Sequence, residues 1–212
     1  MRSLAEQTKV QFADGTREPE LVKEPAFRYS DQPRRFVDAT LWVWTDQGRP
    51  VAFQKIEAAK SADSTPYWQY CFASVSSDLL LAEWQNRRFR STEPGVTFRP
   101  LKEAPGVPKG NAERKRQARE LIRKFSALIL TDPREKNSTQ EMRLLTTPLF
   151  DYADPKTKEY RGAVFGFSTN GTNPDLLLLL EVSGDNDKAA WHFAPARMTI
   201  GAVTLRWRDA KV

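Results

Sequence analysis

The sequence predicts a mainly β protein (α+β), two pseudo-symmetric antiparallel five-strand meanders forming a barrel or sandwich, with one amphipathic helix packed on it. Three observations lead there. The first is an internal repeat, which is sought before any fold is assigned because missing one misreads the whole chain. At an offset of 123 positions Pro25, Phe27, Tyr29 and Asp31 fall on Pro148, Phe150, Tyr152 and Asp154. One insertion moves the offset to 124, where Ala39, Thr45, Pro50 and Glu57 meet Ala163, Thr169, Pro174 and Glu181. One deletion restores 123, and Trp68, Ala73 and Trp84 meet Trp191, Ala196 and Trp207. The second observation is the β texture inside each copy, and the third is a single stretch of helical periodicity between the copies.

Each copy reads as a run of strands. PAFRY and PLFDY open it, and LWVWT and VFGFS follow, rich in β-branched and aromatic residues. TDQGRP and TNGTNP carry the Asp, Asn, Gly and Pro that turns use, so the chain folds back into VAFQKIEA and DLLLLLEV. WQYCFA or WHFAPA comes next, then LLAEW or VTLRW. Short connections between consecutive strands favour antiparallel neighbours. Period-two alternation puts Trp68, Tyr70 and Phe72 on one face, with Trp84, Trp191 and Trp207 at matching inward places. A fully buried Trp removes about 150–250 Å² from water, roughly 4–6 kcal/mol gross at about 25 cal/mol/Å². Core packing therefore accounts for these tryptophans. The unbroken LLLLL of 176–180 predicts a strand covered on both faces, whereas VAFQKIEA, with Gln54 and Lys55, predicts a more exposed one.

The expected organisation is one compact domain, 1–212, with repeat 1 at 17–86, a connector at 87–144 and repeat 2 at 145–212. The connector holds a short VTFRPL strand, an extended APGVPKG run and a helix at about 111–130, with Asn111 as its N-cap. Ala118, Leu121, Ile122, Phe125, Leu128 and Ile129 form the apolar side of that helix. Fifteen Lys/Arg and seven Asp/Glu give the connector a net of +8, in a chain whose total is +6. The basicity is local, and Arg116, Arg119 and Arg123 are its candidate polyanion-binding residues. Without an RNP, KH or zinc-finger signature, a nucleic-acid partner is not the expectation.

Chemistry-bearing residues are few. One cysteine, Cys71, excludes an internal disulfide and a Cys-rich zinc site, and one histidine, His192, excludes His-pair metal motifs. Opposed in the repeat by Ala194 and Gln69, these two do not read as a catalytic couple. No nucleotide-binding glycine loop, nucleophile elbow, HExxH or EF-hand loop occurs. Neither a cofactor nor a metal is expected. Glu57 and Glu181 share one strand position in both copies and are the candidates for a carboxylate-dependent activity, as in glycosidase acid pairs. Asp151/Asp154 and Asp185/Asp187 read as solvated loop acids, and Asn137 and Asn170 head glycosylation sequons. No apolar run reaches the eighteen or more residues of a membrane span. A soluble protein is expected, cytoplasmic if Met1 is native and exported or periplasmic if a leader was removed.

PGVTFRPLKEAPGVP, EMRLLTTPLFDY, GTNPDLLLLLE and ARMT, read in order, resemble a family of uncharacterised bacterial proteins over nearly the whole length. Its members carry comparable WTDxGRP, EFRPLxxAP, ELRLLPxPLYRY and GTDPExLLLxE stretches. Here MRLLTTPLFDY departs at the central proline. The resemblance implies no activity, and since many members look exported it implies an exported chain as readily as a cytoplasmic one. The functional expectation is a non-enzymatic binding or interaction protein on a β scaffold, taking a small apolar ligand or a protein partner. The alternatives are the Glu57/Glu181 enzyme and polyanion binding through the basic 111–130 helix.

Overall fold

The computed structural model describes residues 1–135, 138–184 and 188–212. It divides into two compact units, Met1–Thr97 and Phe98–Val212. Unit 1 runs α1 (Arg2–Glu6), β1 (Lys9–Phe12), β2 (Glu20–Leu21), β3 (Phe27–Asp31), a 3-10 turn (Gln32–Arg34), β4 (Phe36–Asp46), β5 (Arg49–Lys60), β6 (Pro66–Ser74), β7 (Leu80–Trp84) and β8 (Arg87–Arg90). Unit 2 runs β9 (Arg99–Pro100), α2 (Asn111–Ile122), β10 (Phe125–Leu130), β11 (Thr139–Ala153), β12 (Tyr160–Ser168), β13 (Leu176–Ser183), β14 (Ala190–Arg197), β15 (Val203–Trp207) and β16 (Ala210–Lys211). All pairings are antiparallel and the fold is mainly β.

In unit 1, β3, β4, β5 and β6 pair in sequence and β2 lies beside β4. The fifth strand of the run, β7, leaves the meander to sit between β1 and β8. Unit 2 repeats the pattern: β11 to β14 form the meander, and β15 departs to pair with β10 and β16. Here the long β11 joins the two parts into one eight-stranded sheet ordered β16-β15-β10-β11-β12-β13-β14-β9. That sheet curls. Phe125 on β10 and Phe193 on β14 have ring centroids 5.5 Å apart although three strands lie between them. At about 4.8 Å per strand, a flat sheet would hold them nearly 20 Å apart. The curl wraps one apolar cluster, in which Ala118, Leu121 and Ile122 of α2 meet Phe165, Leu178, Trp191 and Trp207. In unit 1 the corresponding cluster joins Trp42, Trp44, Ile56, Leu80 and Trp84, with Tyr70, Phe72 and Phe89 packed against it.

The pairing registers of the two units can be compared residue by residue. The cross-strand row Tyr29–Ala39–Glu57–Gln69 of unit 1 recurs as Tyr152–Gly162–Glu181–His192 in unit 2. The offset is therefore 123 through β4 and β12, so Ala39 corresponds to Gly162 and not to Ala163. The inserted residue falls in the turn before Leu176. The matched prolines sit differently: Pro25 precedes β3, whereas Pro148 lies within β11, where the β11–β12 register shifts between Leu145 and Phe150.

Three expectations need correction. The helix ends at Ile122, not near 130, and 125–130 is β10, with the burial alternation of a strand. Phe125 and Ile129 fit both a period of two and a helical face; pairing with β11 and β15 along both edges decides for the strand. Asn111 does not cap α2. Gly110 holds the N-cap place, while the Asn111 side chain donates to Lys158 O (3.0 Å) and accepts from Tyr160 N (2.9 Å), pinning the helix to β12. Finally β5 is as buried as β13: Gln54, Lys55 and Glu57 are nearly inaccessible. Gln54 Oε1 accepts from Thr8 Oγ1 at 3.1 Å and Glu57 from Tyr29 Oη at 2.8 Å, while Gln54 Nε2 is buried without an acceptor among the described residues. The stretch expected as a connector is shared out: 87–97 belongs to unit 1, with 87–90 forming β8, and the described residues from Phe98 onward belong to unit 2. The Asn137 sequon and the Asp185/Asp187 pair lie outside the described residues.

Candidate functional site

The sequence candidates settle into separate places. Glu57 on β5 is buried, and Glu181 on β13 is partly buried and accepts from Tyr152 Oη at 3.0 Å. The same phenol–carboxylate bond thus occurs in both units across one intervening strand residue, Ala39 or Gly162. A structural rung explains it: a carboxylate in a sheet interior needs a donor, and tyrosine two strands away supplies one. His192 sits beside Glu181 in that row, its Nδ1 3.2 Å from Ala190 O. Cys71 is a strand residue of β6 opposite Lys55. Among the described residues no group of three or more His, Cys, Asp or Glu is placed to hold a metal.

The basic side of α2 is partly neutralised. Arg114 donates to Pro108 O and Tyr160 O, Lys115 pairs with Asp151 at 3.2 Å, and Arg116 with Glu120 at 3.8 Å. Arg119, Arg123 and Lys124 are exposed and, among the described residues, have no acidic partner. A cleft of about 660 Å³ opens beside the helix start, lined by Lys109, Arg114, Glu159, Tyr160 and Arg161. Burial and the Asp151 carboxylate push the Tyr160 phenol up, so it stays protonated at any physiological pH.

The feature that sequence reasoning missed is an open sheet edge in unit 1. Along β6, the bond from Val75 N to Val51 O and the antiparallel register assign Tyr67, Gln69, Cys71 and Ala73 to backbone bonding with β5. Trp68, Tyr70 and Phe72 must then turn their N–H and C=O groups to the other edge. Among the described residues no strand pairs there. Trp68, expected inside, is 42% exposed, and Tyr67 beside it is 45% exposed. Tyr70 and Phe72 are half-buried, in contact with Trp84 and Phe89. Arg87 lies over the Tyr70 ring at 5.1 Å.

Unit 2 shows what closes such an edge. There β9 pairs with β14, and Leu101 N donates to Trp191 O at 2.8 Å. The Leu101 side chain enters the apolar cluster, and Trp191, the counterpart of Trp68, is 1% exposed. Its indole N–H donates to Gln117 Oε1 at 2.5 Å, from a helix of twelve residues where α1 has five. Both helices stop two residues short of the next strand, so α1 matches only the last turn and a half of α2. The indole of Trp207 donates to Lys102 O at 3.1 Å, just past β9. Its counterpart Trp84 is 8% exposed, and its Nε1–H is buried with no acceptor among the described residues. In unit 2 this outer edge is built by VTFRPLK.

No family model, curated protein or solved structure matches the chain. Among the described residues no helix is long and apolar enough to cross a membrane.

Proposed function

We propose that this chain is a non-enzymatic interaction protein, built by internal duplication of one β unit, whose recognition surface is the outer edge of β6. The observation that carries the reading is the contrast at one equivalent position: Trp191 beneath a paired strand, Trp68 beside an unpaired one. An edge offering unpaired backbone groups and exposed aromatic rings is suited to binding another polypeptide, because main-chain bonds supply affinity and alternate side chains supply choice. Exposed tryptophan and tyrosine are also the residue types that dominate protein interfaces.

A selection from a random peptide library tests this. Peptides enriched on the wild-type protein should bind Trp68→Lys at least tenfold more weakly, while its melting temperature stays within a few degrees of wild type. Enrichment of nothing, or of peptides that bind both proteins equally, overturns the reading.

A second reading is polyanion binding, favoured by Arg119, Arg123 and Lys124, which have no acidic partner among the described residues. It predicts heparin retention that vanishes in Arg116→Glu/Arg119→Glu/Arg123→Glu; unchanged elution removes it.

A further inference from the structure

We infer that the β6 edge accepts an extended segment of a partner polypeptide, added antiparallel, with an acidic residue, any residue and then an aliphatic residue in sequence. The inference rests on the reading of the β6 edge given above and names its ligand. Unit 2 is the template. In β9 the residue opposite Phe193 is Arg99, the residue opposite His192 is Pro100, and Leu101 follows over Trp191.

Three features of unit 1 lack what β9 and its continuation give unit 2. The Trp68 carbonyl lacks the N–H that Trp191 receives from Leu101. The Trp68 ring lacks the aliphatic side chain that covers Trp191. The buried Trp84 N–H lacks the carbonyl that Trp207 finds at Lys102. One added strand supplies all three: its aliphatic residue donates N–H to Trp68 O and covers the indole, and the next residue turns its carbonyl to Trp84. An unpaired N–H in the interior is a costly state, and an incoming acceptor relieves it.

Charge then separates the guest from β9. The place of Arg99 falls, in unit 1, opposite Tyr70, where the exposed Arg87 already lies over the ring. Like charges there repel, whereas a carboxylate reaches a guanidinium that has no acidic partner among the described residues. Arg90, on the same strand as Arg87, is exposed as well. The guest is therefore acidic where β9 is basic, so the segment that serves unit 2 does not serve unit 1.

The test uses the whole chain and two synthetic peptides, TFEPLKEA and TFRPLKEA, the second being the 97–104 sequence itself. Fluorescence anisotropy should give at least tenfold tighter binding of the Glu peptide, and Arg87→Glu should reverse the order. In a spectrum of ¹⁵N-labelled indoles, the Glu peptide should move the Trp84 N–H resonance downfield, and the Trp68 and Tyr70 amides should become protected from exchange. If peptides from the library bind at Trp68 but lack the acidic–x–aliphatic pattern and leave the Trp84 indole unmoved, this inference falls while the interaction reading stands. If no peptide binds the edge, both fall. A dimer that dissociates in Trp68→Lys would assign the edge to a second copy of the chain and overturn the partner segment.

Discussion

WQYCFA in β6 and WHFAPA in β14 start at equivalent positions with the same residue, alternate alike and pair with the same neighbour in register, yet one tryptophan is sealed and the other faces solvent. Their own strands do not distinguish them. What differs is the next strand out and the length of the helix that packs across the sheet. Burial at a sheet edge is decided by whether a neighbour arrives, and that neighbour is encoded elsewhere in the chain. The difference ranks the effects of substitution.

The largest contrast lies at the two tryptophans. Trp191→Ala removes a sealed ring contacting Leu101 and α2 and should cost about 3–5 kcal/mol in denaturant unfolding. Trp68→Ala should cost less than about 1 kcal/mol, because much of the ring is in water already. Equal losses at the two sites would mean that the β6 edge is covered in solution.

Next comes the middle of the matched row. A methyl added at Gly162 would sit 2.4 Å from Leu180 O and 2.7 Å from Tyr152 Oη. The first of these is backbone and cannot swing aside. Gly162→Ala should therefore cost about 1–3 kcal/mol, the range for overpacking a filled interior. The reverse exchange at the matching place, Ala39→Gly, should cost about 0.5–1 kcal/mol, mostly through backbone entropy in a strand. Stabilisation by Gly162→Ala would show that the rung is looser than its distances imply.

These two contrasts also mark how far the sequence could be read. The prolines, the Asp/Asn/Gly turns and the alternating runs placed β3 to β7 and β11 to β15, whereas the offset of 124 begins only after β4 and β12, later than the Ala39/Ala163 match implied. Three things were not legible. α1 and β1, five and four residues long, are too short to carry a periodic signal. Phe125 and Ile129 satisfy two periods at once, which carried the helix past Ile122. And the role of Arg99–Pro100 lies in hydrogen bonds to a strand some ninety residues away, which no local pattern records. The site was hidden for the same reason: Trp68 looks buried in its own sequence, and its exposure depends on pairing at the outer edge of β6, where no described strand lies.

A third contrast concerns the two phenol–carboxylate bonds. Tyr29→Phe takes a donor from Glu57, which is 2% exposed; Tyr152→Phe takes one from Glu181, which keeps some access to water. Hydrogen bonds to charged groups contribute about 1.5–3 kcal/mol, and water can replace the donor only where it reaches. The Tyr29 change should therefore be the more destabilising by denaturant midpoint. The opposite order would indicate that Glu57 has other donors sufficient to hold it.

The smallest effect is a titration at the turn after β11. Asp154 accepts N–H bonds from Lys156 and Thr157, both 2.9 Å, and from the Arg161 guanidinium at 2.8 Å. The backbone donors, with Arg161 adding to them, hold its carboxyl at about 2, below the ordinary carboxylate value. Its counterpart Asp31 makes a different turn, receiving Arg34 N at 3.4 Å at the start of a 3-10 helix. Because folding lowers the Asp154 value, its contribution is complete above the unfolded carboxylate range and disappears as pH falls from about 4 to about 2. Proton binding favours the unfolded chain in that window. Asp154→Asn should leave stability at pH 7 slightly reduced and flatten the acid limb between those values, while a carboxyl-detected titration of the wild type should show a midpoint near 2. A midpoint near the unperturbed value would mean that the Asp154 turn opens in solution.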